Sequence, residues 1–232
     1  MAAGFGAYGK IPGLGDFLRL GMPPGFVRAW DGWLQAAMTE ARARLGDRWT
    51  GCYMSAPIWR FTLPAGMAGE AAATGVMMPS VDRVGRQFPL ALAAAADCPP
   101  ELLPALHLGA GPVFAALEAA ALDALEDGMD AAMLAERLAA IAPPAVPQGI
   151  GFAAPSGWLD VSAADAAGLA AGLACALTLR HGALPGYWSC IAGGGGHRLM
   201  VLPEMPRAET AAALFDPALR EGSRAAPEGR DG

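Results

Sequence analysis

Apolar residues recur at Phe26, Trp30, Trp33, Leu34, Ala37, Ala41 and Leu45, the spacing that lines one face of an α-helix. Arg28, Asp31, Gln35, Glu40, Arg42 and Arg44 fall on the opposite face. The pattern predicts an amphipathic helix entered after Pro23-Pro24 and stopped near Gly46. Before it, Gly4 to Gly9 reads as a short strand running into a turn at Pro12-Gly13-Leu14-Gly15.

Further on the period changes. Ile58 to Leu63, Ala72 to Met78 and Phe88 to Ala95 are short apolar runs suited to buried strands, and three in succession imply a sheet. Pro112 opens a second helical pattern through Val113, Phe114, Leu117, Ala121 and Leu125, stopped by Gly128. Asp130 caps a third, which ends before Pro143-Pro144. Ala142 to Gly157 is rich in Pro and Gly and reads as a long surface loop. A helix near Ala163 to Leu179 and two strands, Tyr187 to Ala192 and His197 to Leu202, complete the pattern, the strands joined by a run of four glycines. Strands interleaved with helices predict a single-domain α/β protein, a three-layer α/β/α sandwich over residues 1–205. Residues 206–232 are expected to hold one short helix at Glu209 to Phe215 and a flexible tail.

Composition narrows the possible functions. The 232 residues are 54% hydrophobic and 16% charged, but much of the apolar content is alanine. No run reaches the roughly 20 strongly apolar residues of a membrane-spanning helix. No positive charge precedes Lys10, so the signature of a secretory signal is lacking and a cytoplasmic location is expected. Net charge is −6, the wrong sign for a phosphate-backbone partner, so nucleic acid is not expected. Cys52, Cys98, Cys175 and Cys190 are too far apart for a C-x-x-C site and read as reduced thiols. His107, His181 and His197 form no ligand-spaced motif, so neither a metal nor a cofactor is expected.

Gly4 to Gly9 matches G-x-G-x-x-G literally, and Gly4 to Lys10 matches part of a phosphate loop. Both matches fail on context: no strand precedes Gly4, and Ile11-Pro12 follows Lys10 where a Ser or Thr and a helix are needed. No G-x-S-x-G elbow is present. Two loops carry the candidate chemistry instead. Met78 to Pro89 sets Ser80, Asp82, Arg83 and Arg86 between two strands. Either its guanidiniums meet a carboxylate or phosphate on a partner, or Asp82 pairs with Arg83 or Arg86, or caps local amides, and shapes the connection. In Gly9 to Phe17, Lys10 and Asp16 are the only charges, and Asp16 is placed to cap the following helix. The tryptophans, Trp30, Trp33 and Trp59 among them, read as core.

Four blocks, in order, resemble one family: Gly9-Lys10-x-Pro12-x-x-Gly15-Asp16-Phe17; Trp30-Asp31-x-Trp33-Leu34; Ala56-Pro57-Ile58-Trp59-Arg60-Phe61; and Gly75 to Leu90, with Pro79, Ser80, Asp82, Arg83, Gly85, Arg86, Phe88 and Pro89. The chain is similar here to the TagF (ImpM) family, accessory proteins of bacterial type VI secretion. Beyond about residue 95 the resemblance thins to Tyr187-Trp188-Ser189 and Leu202-Pro203. It implies an α/β/α sandwich and a post-translational repressor that binds the forkhead-associated scaffold protein of the apparatus. On that reading the chain is a binder, not an enzyme, and Lys10, Asp16, Ser80, Asp82, Arg83 and Arg86 are the candidate interface. The alternative is a ligand-binding or hydrolytic enzyme in which Asp16 and Asp82 converge with Lys10 and Arg83.

Overall fold

The computed structural model describes residues 4–154, 158–182, 184–192, 195–216 and 218–219. The first helical pattern becomes α1 (Phe26–Leu45), which buries Phe26, Trp30, Leu34, Ala37, Met38, Ala41 and Leu45. It ends at Gly46, whose φ of 53° suits glycine, with Arg42 and Arg44 in the last turn where cations complement the helix dipole.

The three buried runs form an antiparallel meander of β3 (Trp59–Leu63), β4 (Ala73–Met78) and β5 (Leu90–Ala95). Two distant parts of the chain extend it. On the β5 side β1 (Gly6–Gly9) pairs with Leu90–Ala95 and carries β2 (Leu18–Leu20) at the edge. On the β3 side come β8 (Gly186–Ile191) and then β9 (His197–Leu202). The order is β2-β1-β5-β4-β3-β8-β9.

Alternate strand residues enter different cores, as the pleat requires. Tyr8, Trp59, Phe61, Leu63, Met77, Ala91, Ala93 and Trp188 pack with α1, with α2 (Trp49–Met54) and with α7 (Ala208–Phe215). Ala7, Val76, Met78, Leu90, Leu92 and Ala94 pack with α4 (Gly111–Asp123) and α5 (Ala131–Ala139). Trp30, Phe61 and Trp188 pack together in the first core, with centroids 4.8 to 6.0 Å apart. The second is largely aliphatic.

Several expectations need correction. The stretch Ala142 to Gly157 is not all loop: β6 (Gly151–Ala153) pairs with β7 (Asp160–Ser162), and both contact α6 (Ala166–His181). Two three-residue strands are too short to show a period. Three more elements, β2, α2 and α3 (Leu103–Gly109), carry no pattern that predicts them, each being seven residues or fewer. The C-terminal helix is part of the main core. Trp59 Nε1 donates to Leu214 O at 2.7 Å and Trp33 Nε1 to Pro206 O at 2.8 Å. The tail expected to be flexible lies, from residue 220, outside the described residues. Among the described residues no single helix is long and apolar enough to cross a membrane.

Candidate functional site

Where β1 leaves the sheet and β5 enters it, the two charged loops lie side by side. Gly9 sits with φ 141° against the second loop, and a Cβ there would fall 2.1 Å from Pro89 O. Only glycine fits so close a backbone approach. Beyond it Lys10 turns inward: Lys10 Nζ lies 2.9 Å from Asp82 Oδ2, with side chains 9% and 0% exposed.

Asp82 organises the site. Oδ1 accepts from the amides of Val84 (3.1 Å) and Arg86 (2.9 Å), and Oδ2 accepts from Lys10 Nζ and, at 2.6 Å, from Arg86 Nε. Burial alone would raise its pKa, but the Lys10 ammonium and the Arg86 and Val84 donors outweigh burial and hold the carboxyl well below the usual range. Gly85 N donates to Asp82 O at 2.8 Å and Gly85 takes φ 81°, closing a turn that lifts Arg83 and Val84 outward.

The loops are stapled to each other as well. Arg83 N donates to Leu14 O at 3.0 Å, and Arg86 Nη2 to Gly15 O at 2.8 Å. Phe88, buried, meets Phe17 edge-on at 4.8 Å, and Lys10 Nζ lies 5.1 Å from the centre of the Phe17 ring. Deeper in, Tyr53 Oη donates to Ser80 O at 2.6 Å and accepts from Ser80 N at 3.0 Å, pinning the start of the second loop to α2. Trp49 Nε1 holds Gln87 Oε1 at 2.6 Å. Tyr53, Trp49 and Gln87 carry no sequence signal that separates them from ordinary core and surface residues.

The six candidate interface residues therefore divide. Lys10, Ser80 and Asp82 are buried and hold the loops in shape, whereas Asp16, Arg83 and Arg86 are exposed. For Asp82 the structural alternative is the one found, with Arg86 rather than Arg83 as its partner. Asp16 does not cap a helix: β2 follows it, α1 begins only at Phe26 behind Gly25, and the Asp16 carboxylate accepts from Phe17 N. Asp16 and Asp82 do not form a shared acid pair either, because one is exposed and the other is enclosed by four donors. Among the described residues no group of three or more His, Cys, Asp or Glu could hold a metal ion.

A second polar constellation lies under α3. His107 Nδ1 is 2.9 Å from Thr62 Oγ1, and Nε2 is 2.9 Å from Ser189 Oγ. Thr74 Oγ1 donates to Phe61 O, so Thr62 must donate to Thr74 and accept from His107 Nδ1–H. Nε2 is left to accept the Ser189 proton. The pair resembles a nucleophile and its base, but burial first, and the nearby Arg60 second, lower the His107 pKa to about 3. A threonine also stands where a carboxylate would support the imidazolium. The arrangement suits a satisfied core network better than proton transfer.

The family model for the TagF N-terminal domain, described as type VI secretion system-associated, matches residues 6–141, more than half of the chain. The chain belongs to the TagF family. Its fold is similar to the crystal structure of PA0076 from Pseudomonas aeruginosa PAO1, at 30% identity and a TM-score of 0.74, over 98% of this chain and 99% of that one. No curated protein matches significantly.

The TagF motif residues now have physical roles. Gly9 and Gly85 meet backbone demands, Gly15 leaves room for Arg83, and Pro12 sits in the first loop's turn. Pro57 leads into β3. Pro79, Phe88 and Pro89 flank the clamped turn, and Trp30, Trp33 and Trp59 belong to or pack against the first core.

Proposed function

We propose that this TagF-family chain is a cytoplasmic, post-translational repressor of type VI secretion that acts by binding a protein, the forkhead-associated scaffold of the apparatus. The observation that carries this reading is the pair of stapled loops, in which the buried Lys10–Asp82 pair, joined by Arg86 from the surface, holds Arg83 and Val84 outward in one geometry. A fixed, exposed turn loses little entropy on association, which suits a docking element. Membership of a type VI secretion-associated family supplies the cellular context.

The enzyme alternative is less well supported by the same geometry. Asp82 has both oxygens occupied by donors and faces no solvent, so it is poorly placed to take or give a proton. Calorimetry between the purified protein and the scaffold from the same genome, at physiological salt, tests the proposal. A micromolar or tighter complex supports sequestration; no heat and no co-elution rejects the scaffold as the direct partner.

A further inference from the structure

The two arginines of the clamped turn differ in how free they are. Arg86 is committed within the molecule, with Nε on Asp82 and Nη2 on Gly15 O. Arg83 is fixed only through its backbone, by its amide on Leu14 O. Its guanidinium lies over Gly15, with Nη2 3.1 Å from where a Cβ would stand, and its side chain has no hydrogen bond or ion pair among the described residues. Next to it Val84 is 70% exposed, the most exposed of the large apolar side chains described.

The turn itself sets Arg83 and Arg86 against one buried carboxylate, Asp82, a local positive charge in a chain at −6. Arg83, Arg86 and Arg42, which reaches Gln87 Oε1 at 3.5 Å, share this edge, and Asp16 is the exposed carboxylate of the two loops. An acidic surface is therefore attracted here and repelled by the chain's net charge elsewhere. The free guanidinium matches a carboxylate, and Val84 beside it needs an apolar hollow.

We infer that Arg83 and Val84 form the contact pair of the docking turn, received by an acidic protein surface that sets a carboxylate beside an apolar hollow, while Arg86 is a positioning residue. This rests on the repressor reading above and names the chemistry of its partner. Gly15 belongs to the same device, because a side chain there displaces the Arg83 guanidinium without removing it.

Binding to the purified scaffold is measured for the wild type, Arg83→Glu, Val84→Asp, Gly15→Ala and, as an exposed control in the first turn of α1, Arg28→Ala. Arg83→Glu and Val84→Asp are each expected to weaken binding about 10-fold or more at an unchanged melting temperature, since neither side chain supports the fold. Arg83→Glu should also remove much of the salt dependence of association. Gly15→Ala should give a smaller loss, and Arg28→Ala none. Wild-type affinity in both Arg83→Glu and Val84→Asp overturns the inference while the scaffold reading stands. If the wild type does not bind the scaffold but still represses secretion in cells, repression itself becomes the readout: Arg83→Glu must relieve it, and full repression by that variant overturns the inference. A wild type that neither binds nor represses overturns both readings.

Discussion

Lys10 and Asp82, 72 positions apart, meet in a buried ion pair at 2.9 Å that joins the first strand's exit to the turn before β5. Removing Asp82 leaves the Lys10 ammonium buried without a counter-charge, and removing Lys10 leaves Asp82 to Arg86 and two amides, whereas removing both leaves neither charge buried. Lys10→Met and Asp82→Asn should each lower the melting temperature, Asp82→Asn more, because Asn keeps an oxygen for the two amides but turns an NH2 toward Lys10 and Arg86 in place of their shared acceptor. The double variant should lose less than the two single losses combined, as read from a double-mutant cycle in urea. Simple additivity would mean that the pair is not coupled.

Asp82 also sets an acid limit. An aspartate in the unfolded chain titrates near about 3.9, and the folded carboxyl is held well below that by Lys10, Arg86 and the Val84 amide. Its contribution is complete above the unfolded value and is lost as pH falls below it. Urea midpoints between pH 6 and pH 2 should therefore drop below about pH 4, and less steeply in Asp82→Asn.

His107 acts in a higher window. Its folded pKa is about 3, against roughly 6.5 in an unfolded chain, so the unfolded state takes up a proton that the fold refuses. Stability should decline by up to about 1.4 kcal/mol per pH unit from about pH 6.5 toward pH 3. His107→Asn should start less stable at pH 7 but show a flatter profile. An equal slope in the variant would place the pH dependence elsewhere.

Trp30 is fully buried between Phe26, Trp33, Phe61 and Trp188, with centroids 4.7 to 6.0 Å away. Trp30→Ala should cost about 3–5 kcal/mol in chemical denaturation, the range for a large aromatic removed from a packed core. A loss under about 1 kcal/mol would show that the core collapses to fill the space.

Gly9 and Gly75 both face β5 too closely for a side chain, with a Cβ 2.1 Å from Pro89 O and 2.0 Å from Leu92 O respectively. Either glycine changed to alanine should force the adjoining strand away and unfold the protein at lower denaturant. In Gly9→Ala, amide exchange should rise first at Tyr8 and Ala91, which pair across this junction.

The sequence by itself determined the elements long enough to carry a period. Phe26 to Leu45 places an apolar residue at nearly every turn, and the buried runs of β3, β4 and β5 are bounded by turn residues, so the pattern that marks each lies within its own segment. Gly9, Gly15, Asp82 and Arg83, with their neighbours, also marked the two loops and the family. Strands β2, β6 and β7, of three residues each, are too short for an alternation, and α2 and α3, of six and seven, make less than two full helical turns, so none left a pattern.

Only the tertiary structure decided what the charges do. One carboxylate at Asp82 became a buried clamp and the other, at Asp16, stayed in solvent. Arg86 was bound within the site and Arg83 was left outward. Thr62, Thr74, His107 and Ser189 became one network. The physical reason is that a charge's role depends on its solvation and on donors brought from distant segments, as Lys10 is brought to Asp82, and local sequence encodes neither.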